Sequence, residues 1–96
     1  MKNIKLFEKV GAFAENKDIA RDIRTQDIIP CLDQNEEVLL DFKDINSATQ
    51  SFIHSLLSNL MRQYGNDVLD KISFKSCNPT IQKIIAIVTD YLQERE

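Results

Sequence analysis

Glycine and proline are scarce in this chain of 96 residues, with two of each, and tryptophan is missing. Because Gly11 and Gly65 are the only glycines, no glycine-rich loop can form. That excludes the dinucleotide fingerprint, the P-loop and the G-x-S-x-G nucleophile turn. The two cysteines, Cys31 and Cys77, lie far apart, with no C-x-x-C pair and no histidine near them in sequence. Neither a zinc site nor a disulfide framework follows, and both read as small apolar residues. No apolar run approaches the ~20 residues of a membrane span, and MKNIKLFEKV alternates charged with apolar residues instead of opening into a signal-peptide core. The expected location is therefore cytoplasmic, with no membrane partner. The formal net charge is −3, and Lys and Arg are not clustered as a phosphate-backbone footprint requires, so nucleic acid is not an expected partner either.

One further absence is local. Between Asp44 and Asp67 the chain has no acidic residue, although acids fill 15 of its 96 positions. The window holds Asn46, Ser47, Thr49, Gln50, Ser51, Ser55, Ser58 and Asn59, and only His54 and Arg62 can be positive there. Helix starts ordinarily attract Asp or Glu, because their first amides carry about half a positive charge.

What is present suits a single compact domain spanning 1–96. With 43% hydrophobic and 28% charged residues, such a chain buries roughly 60 to 70% of its unfolded surface. The stretch EVLLDFKDINSATQSFIHSLLSNL organises the rest. Val38, Leu39 and Leu40, extended by Asp41 and Phe42, read as a strand buried on both faces of a largely parallel sheet. After the loop KDINSAT, Phe52, Ile53, Leu56, Leu57, Leu60 and Met61 repeat along one helical face. Before this unit, Lys2 to Val10 alternates as an edge strand should. Gly11 then permits a turn, and Phe13 can prolong the extended segment. Asn16 is set to cap a helix with Asp18 in its first turn and Ile19, Ala20 and Ile23 on its apolar face. Pro30 predicts a kink or a short second helix, and Asp33 to Glu36 a polar connector.

Downstream, Gly65 is placed to end the long helix in a left-handed conformation. A strand near Lys71 follows, its alternation of Ile72 and Phe74 with Ser73 and Lys75 typical of a position near a sheet edge. Asn78-Pro79 opens a last helix striped by Ile81, Ile84, Ile85, Val88 and Leu92, with a frayed end at Gln93 to Glu96. The order is strand, helix, strand, helix, strand, helix: a small α/β layer, its sheet short and mixed or mostly parallel, with helices packed on it.

The residues able to carry chemistry gather after the central strand. Ser51, Ser55, Ser58 and Arg62 fall at i, i+4, i+7 and i+11 and line one nearly uncharged stripe. A phosphate on Ser47, Thr49 or Ser51 would sit at the helix start, stabilised by its dipole and free amides. On residue types alone, Ser47 or Thr49 serves equally as a plain N-cap with the other serines solvated. His54 has no acid within a turn and reads as a half-exposed helix residue. Asp41 reads as a structural group that orients the turn by accepting amides, and with Asp44 it offers too few ligands for a metal. No acid, base and nucleophile can be placed together, so no catalytic residue and no cofactor is expected.

The run VLLDFKDINSATQSF resembles the STAS domain, named from sulfate transporters and anti-sigma factor antagonists, and more closely the STAS-like domains of unknown function in small bacterial proteins. Asp41, Phe42 and Ile45 match the strand and its exit, and Ser51 falls on the second serine of the Asp-Ser-Ser-Gly turn that opens the next helix in STAS domains. Thr49 replaces that Asp, Gln50 replaces the serine that antagonists usually phosphorylate, and Phe52 replaces the Gly. Phosphorylation at the usual position is thereby ruled out. The Ser51-Phe52 pair and the Ala20-Arg21 pair are similar to pairs typical of the STAS-like group, and the resemblance runs from about Asn16 onward.

The resemblance implies a STAS-like fold and a non-catalytic regulatory signalling module, similar to an anti-sigma factor antagonist. Such a module docks a protein partner, of the histidine-kinase-like ATPase type, through the loop and helix after the central strand. The expected interface is Asp41, Asn46, Ser47, Thr49, Gln50, Ser51, Ser55, Ser58 and Arg62, with Ser51 and Thr49 as candidate phosphorylated switches. An acid-free helix face leaves few charges to desolvate on docking. The alternative is a sensor that binds a small molecule or anion at the start of the same helix. The alternating first strand also offers a pairing edge to a second chain, and the oligomeric state stays open.

Overall fold

The computed structural model describes residues 1–94. Its central strand, β3, is the expected run Val38–Asp41, flanked by β1 (Lys2–Lys5) and β5 (Ile72–Lys75) in the order β1-β3-β5. Both pairings are parallel, so Ile4, Leu40 and Phe74 share one row and Asn3, Leu39 and Ser73 the next. The outer positions of the first and last strands are as the sequence reading expected.

β1 is shorter than the alternation of Lys2 to Val10 suggests. The strand stops at Lys5, and Phe7–Val10 turns as a short helix, α1, that ends at Gly11 with φ 72°. The cause is loss of a partner. Leu6 N–H still reaches Asp41 C=O at 3.1 Å, but β3 ends there, and the amides of Lys9 and Val10 turn back to Leu6 C=O. Beyond the turn, β2 (Phe13–Ala14) pairs in parallel with β4 (Ser47–Ala48), a two-residue ladder that joins the N-terminal segment to the loop after β3.

Burial corrects a second expectation. Val38, Leu40, Ile4, Ile72 and Leu6 are buried on one face of the sheet. On the other face Leu39 is only half-buried, and its in-row neighbours Asn3 and Ser73 are exposed. Parallel sheets usually have both faces covered. Here the apolar side chains of the sheet meet the helices on one side, and on the far side Asn3, Ser73, Lys5 and Lys75, which tolerate water, flank half-buried Leu39 and buried Asp41. The central strand is thus covered on both sides, but its outer neighbours leave the second face wetter than a continuous apolar run suggests.

The first long helical segment opens as expected. Asn16 Oδ1 accepts the amides of Asp18 (2.8 Å) and Ile19 (3.2 Å) and caps α2 (Lys17–Ile23). The helix does not end there. It widens into a π turn over Arg24–Ile28 and tightens again as α3 (Ile29–Asp33). Pro30 accounts for the widening: its ring would collide with the carbonyl four residues back in a regular helix, and a wider turn moves that carbonyl away. Ile23, Ile28 and Leu32 keep facing the core throughout.

α4 (Gln50–Tyr64) buries Phe52, Ile53, Leu56, Leu57, Leu60 and Met61, each at most 3% exposed. Each such side chain is worth roughly 1.5 to 3 kcal/mol relative to exposure. Gly65 ends the helix with φ 84°, positive as expected, but with ψ 177°, so the residue is extended and not left-handed helical. A 3-10 turn, Asn66–Lys71, leads into β5. α5 (Pro79–Glu94) starts at Asn78, whose Oδ1 accepts Ile81 N–H at 2.9 Å, and buries Ile81, Ile85 and Val88. Gln93 and Glu94 belong to this helix. Arg95 and Glu96, the rest of the expected frayed end, lie outside the described residues. No helix among the described residues is long and apolar enough to cross a membrane.

Candidate functional site

The loop after β3 is fixed at several points. Asp41 is buried, 7% exposed, and its Oδ1 accepts Lys43 N–H at 2.9 Å. This local turn is the orienting role its residue type suggested, and it throws the chain away from the sheet. Asp44 follows with φ 70°, a conformation that Asp tolerates better than most residues. Asn46 N–H then donates to Ala12 C=O at 2.7 Å, and Thr49 N–H to Ala14 C=O at 2.9 Å. From the other side, Asn78 Nδ2 donates to Asn46 C=O at 2.8 Å. Asn78 therefore caps α5 and clamps the loop with one side chain.

Thr49 is the N-cap of α4. Its Oγ1 accepts Phe52 N–H at 3.0 Å and its C=O accepts Ile53 N–H at 3.2 Å. The amides of Gln50 and Ser51 have no acceptor within the described residues, and the first turn carries no acid. Gln50 and Ser51 are exposed, while Ser47 and Thr49 are half-buried. The two candidate switch residues therefore differ: the hydroxyl of Thr49 is engaged in holding the helix, and that of Ser51 faces outward.

Further along α4, the serine stripe divides between two clefts. Ser51 and Ser55, with Gln50 and His54, form one wall of a cleft of about 470 Å³. Its opposite wall is α5, through Ile87, Val88 and Tyr91, and Lys17 from the start of α2 stands at its margin. Arg62 instead lines a second cleft of about 330 Å³ beside the π turn, with Arg24 and Asn59. Ser58 is half-buried and borders neither cleft. Arg24 ties the two helices together by donating from Nη1 to Ser55 C=O. Asp41 lies elsewhere, in a third cleft at the carboxyl ends of β1 and β3 with Lys5, Phe7 and Lys43. The sequence-selected residues thus do not form one surface, and Gln50, Ser51 and Ser55 are the ones brought together.

The α5 wall was missed by the sequence reading, and a signal for it existed. Ile87 and Tyr91 are spaced i, i+4 and fall outside the buried stripe of their helix; the structure leaves them 42% and 48% exposed. The ring of Tyr91 lies 6.3 Å from that of His54, tilted by 49°. His54 is exposed, in keeping with the solvent-facing helix position its sequence context suggested. Among the described residues, no group of three or more His, Cys, Asp or Glu is placed to hold a metal. Cys77 is half-buried, and burial, followed by the nearby charge of Asp41, pushes its thiol up. That keeps it in the unreactive protonated form.

The chain belongs to the family described as the STAS-like domain of unknown function, which matches residues 21–82, more than half of its length. The parallel sheet and its covering helices agree with that assignment. The matched segment includes Arg21, the whole loop after β3 and all of α4, and it leaves out Lys17, Ile87 and Tyr91. No curated protein and no solved structure matches the chain.

Proposed function

We propose that this chain is a non-catalytic regulatory module that docks a protein partner, of the histidine-kinase-like ATPase type, through the loop Asn46 to Gln50 and the outward face of the first turns of α4. The observation that carries the reading is the anchoring of that loop. Backbone bonds to Ala12 and Ala14 and the Asn78 clamp hold it from two sides, so Gln50 and Ser51 stand exposed at a preset position. A pre-positioned surface loses little entropy when a partner closes on it. Ser51 is the proposed switch. A phosphate there would add about −1.5 to −2 charges to an otherwise acid-free helix start, changing both the shape and the charge that the partner meets. Ser51→Glu tests this by co-purification: recovery of partners should fall while thermal unfolding stays nearly unchanged. Recovery of the same partners at the same yield would reject the interface.

A second reading, binding of a small anion at the same helix start, is favoured by the acceptor-free amides of Gln50 and Ser51 in a cleft lined by no acid. Helix starts of this kind stabilise anions through the dipole and the exposed N–H groups.

A further inference from the structure

The cleft between α4 and α5 combines three properties that do not follow from one another. Its volume, about 470 Å³, lies within the several hundred to ~1,000 Å³ of small-molecule sites. It is lined by no acid, although the chain carries 15 acids and a net charge of −3. Its cationic margin is Lys17, and the imidazole of His54 and the hydroxyls of Ser51 and Ser55 face the same space. Opposite them stand Ile87 and Tyr91 of α5, 42% and 48% exposed.

Dimensions decide the kind of occupant. At 1.5 Å rise per residue, the α4 wall from Gln50 to Ser55 is about 8 Å long and the α5 wall from Ile87 to Tyr91 about 6 Å. That is too short to seat the several turns of a partner helix, and long enough for a single ring with one substituent. The rings of His54 and Tyr91 are 6.3 Å apart, less than the ~7 Å that a third ring stacked between them needs. A bound ring therefore lies over Ile87 and the face of Tyr91, and its charged group points across the cleft to Lys17 and the start of α4.

We propose that this cleft is a binding site for a small ring-bearing anion, a planar aromatic group carrying one phosphate, with the phosphate at Ser51 and Lys17 and the ring on Ile87 and Tyr91. The inference rests on the second reading above and extends it to residues outside the family-matched segment. Its test uses two probes, phenyl phosphate and inorganic phosphate, each titrated into the isotope-labelled protein while backbone amide resonances are followed. Phenyl phosphate should perturb the amides of Gln50, Ser51, Ser55 and Ile87 saturably and bind about tenfold more tightly than inorganic phosphate, the gain expected from covering part of one ring.

Ile87→Ser, a change at an exposed position that the core does not need, should reduce that preference to about threefold or less. Lys17→Glu should weaken both probes, and an acid at this first helical position suits the α2 start. Equal affinity for the two probes overturns the ring site while leaving the anion reading intact. Absence of any perturbation by either probe overturns both, and saturable shifts confined to residues away from the cleft overturn its assignment as the site.

Discussion

Thr49 decides how the corner after β3 is held, and replacing it by valine isolates its hydroxyl. Valine keeps the β-branched shape and the extended backbone (φ −88°, ψ 156°), and it preserves the backbone bonds to Ala14 and from Ile53. The change removes a single acceptor, the Oγ1 that takes Phe52 N–H at 3.0 Å. Loss of a capping hydroxyl costs about 1 kcal/mol within a range of 0.5 to 2. Because this cap is part-buried, the orphaned amide is poorly reached by water, which places the cost in the upper half of that range. In a chain of this size the loss corresponds to a fall in Tm of roughly 4 to 8 °C per kcal/mol, and to a fall in urea midpoint of about 0.5 to 1 M. Urea unfolding followed by far-UV circular dichroism measures it, with Thr49→Ser as the control that keeps the hydroxyl. Amide exchange at Phe52 should accelerate in Thr49→Val and not in Thr49→Ser. If Thr49→Val unfolds at the wild-type midpoint, or if Thr49→Ser falls equally, the hydroxyl is not holding the helix and the distinction drawn between Thr49 and Ser51 as switch residues collapses.

Two further outcomes test other parts of the structure. The phenol of Tyr64 is pushed up to about 12 by its hydrogen bond to the Asp33 carboxylate (2.6 Å), with burial and the carboxylate charge adding to it. Its neutral form is thus favoured in the folded state, so the stability it contributes is complete below the ordinary value of 10.0 and is lost as the pH rises through about 12. Absorbance titration of tyrosinate should show this late ionisation, and Asp33→Asn should move it down; an unchanged titration would remove the hydrogen bond as its cause. Leu57 is fully buried in the face of α4, and Leu57→Ala should cost about 2 to 5 kcal/mol by loss of transfer energy and creation of a cavity. A calorimetric shift worth less than about 1 kcal/mol would mean that the core collapses around the gap.

The parts of the fold legible in the sequence were those fixed by local chemistry. Asn16 and Asn78 announce helix starts through their side chains, Gly65 stops α4, and the stripe from Phe52 to Met61 records its buried face. What escaped depends on distant partners. β1 ends at Lys5 because β3 ends at Asp41, and nothing in Phe7 to Val10 reports that. The β2 and β4 ladder is two residues long and is written only in the meeting of Ala14 with Ala48. Leu39 is as apolar as Leu40, so the run could not show that one face of the sheet is wetter than the other. At the site, the missing acids drew attention to the start of α4, where Gln50 and Ser51 line one cleft. The stripe through Ser55, Ser58 and Arg62 looked continuous because helical spacing describes one helix alone. α2 and α5 pack on either side of α4, and they decide which cleft each residue enters.

The anchoring of the loop after β3 also bears on when the corner comes into existence. Its hydrogen bonds reach back to Ala12 and Ala14 and forward to Asn78, across 32 residues in the last case. No local segment can build it, because loop closure over such separations is only repaid once the intervening helices have packed. The surface around Ser51 is therefore held by segments far apart in sequence, around Ala12, Thr49 and Asn78. On the function proposed above, a partner docking at this corner would meet it only in a chain whose distant segments have come together.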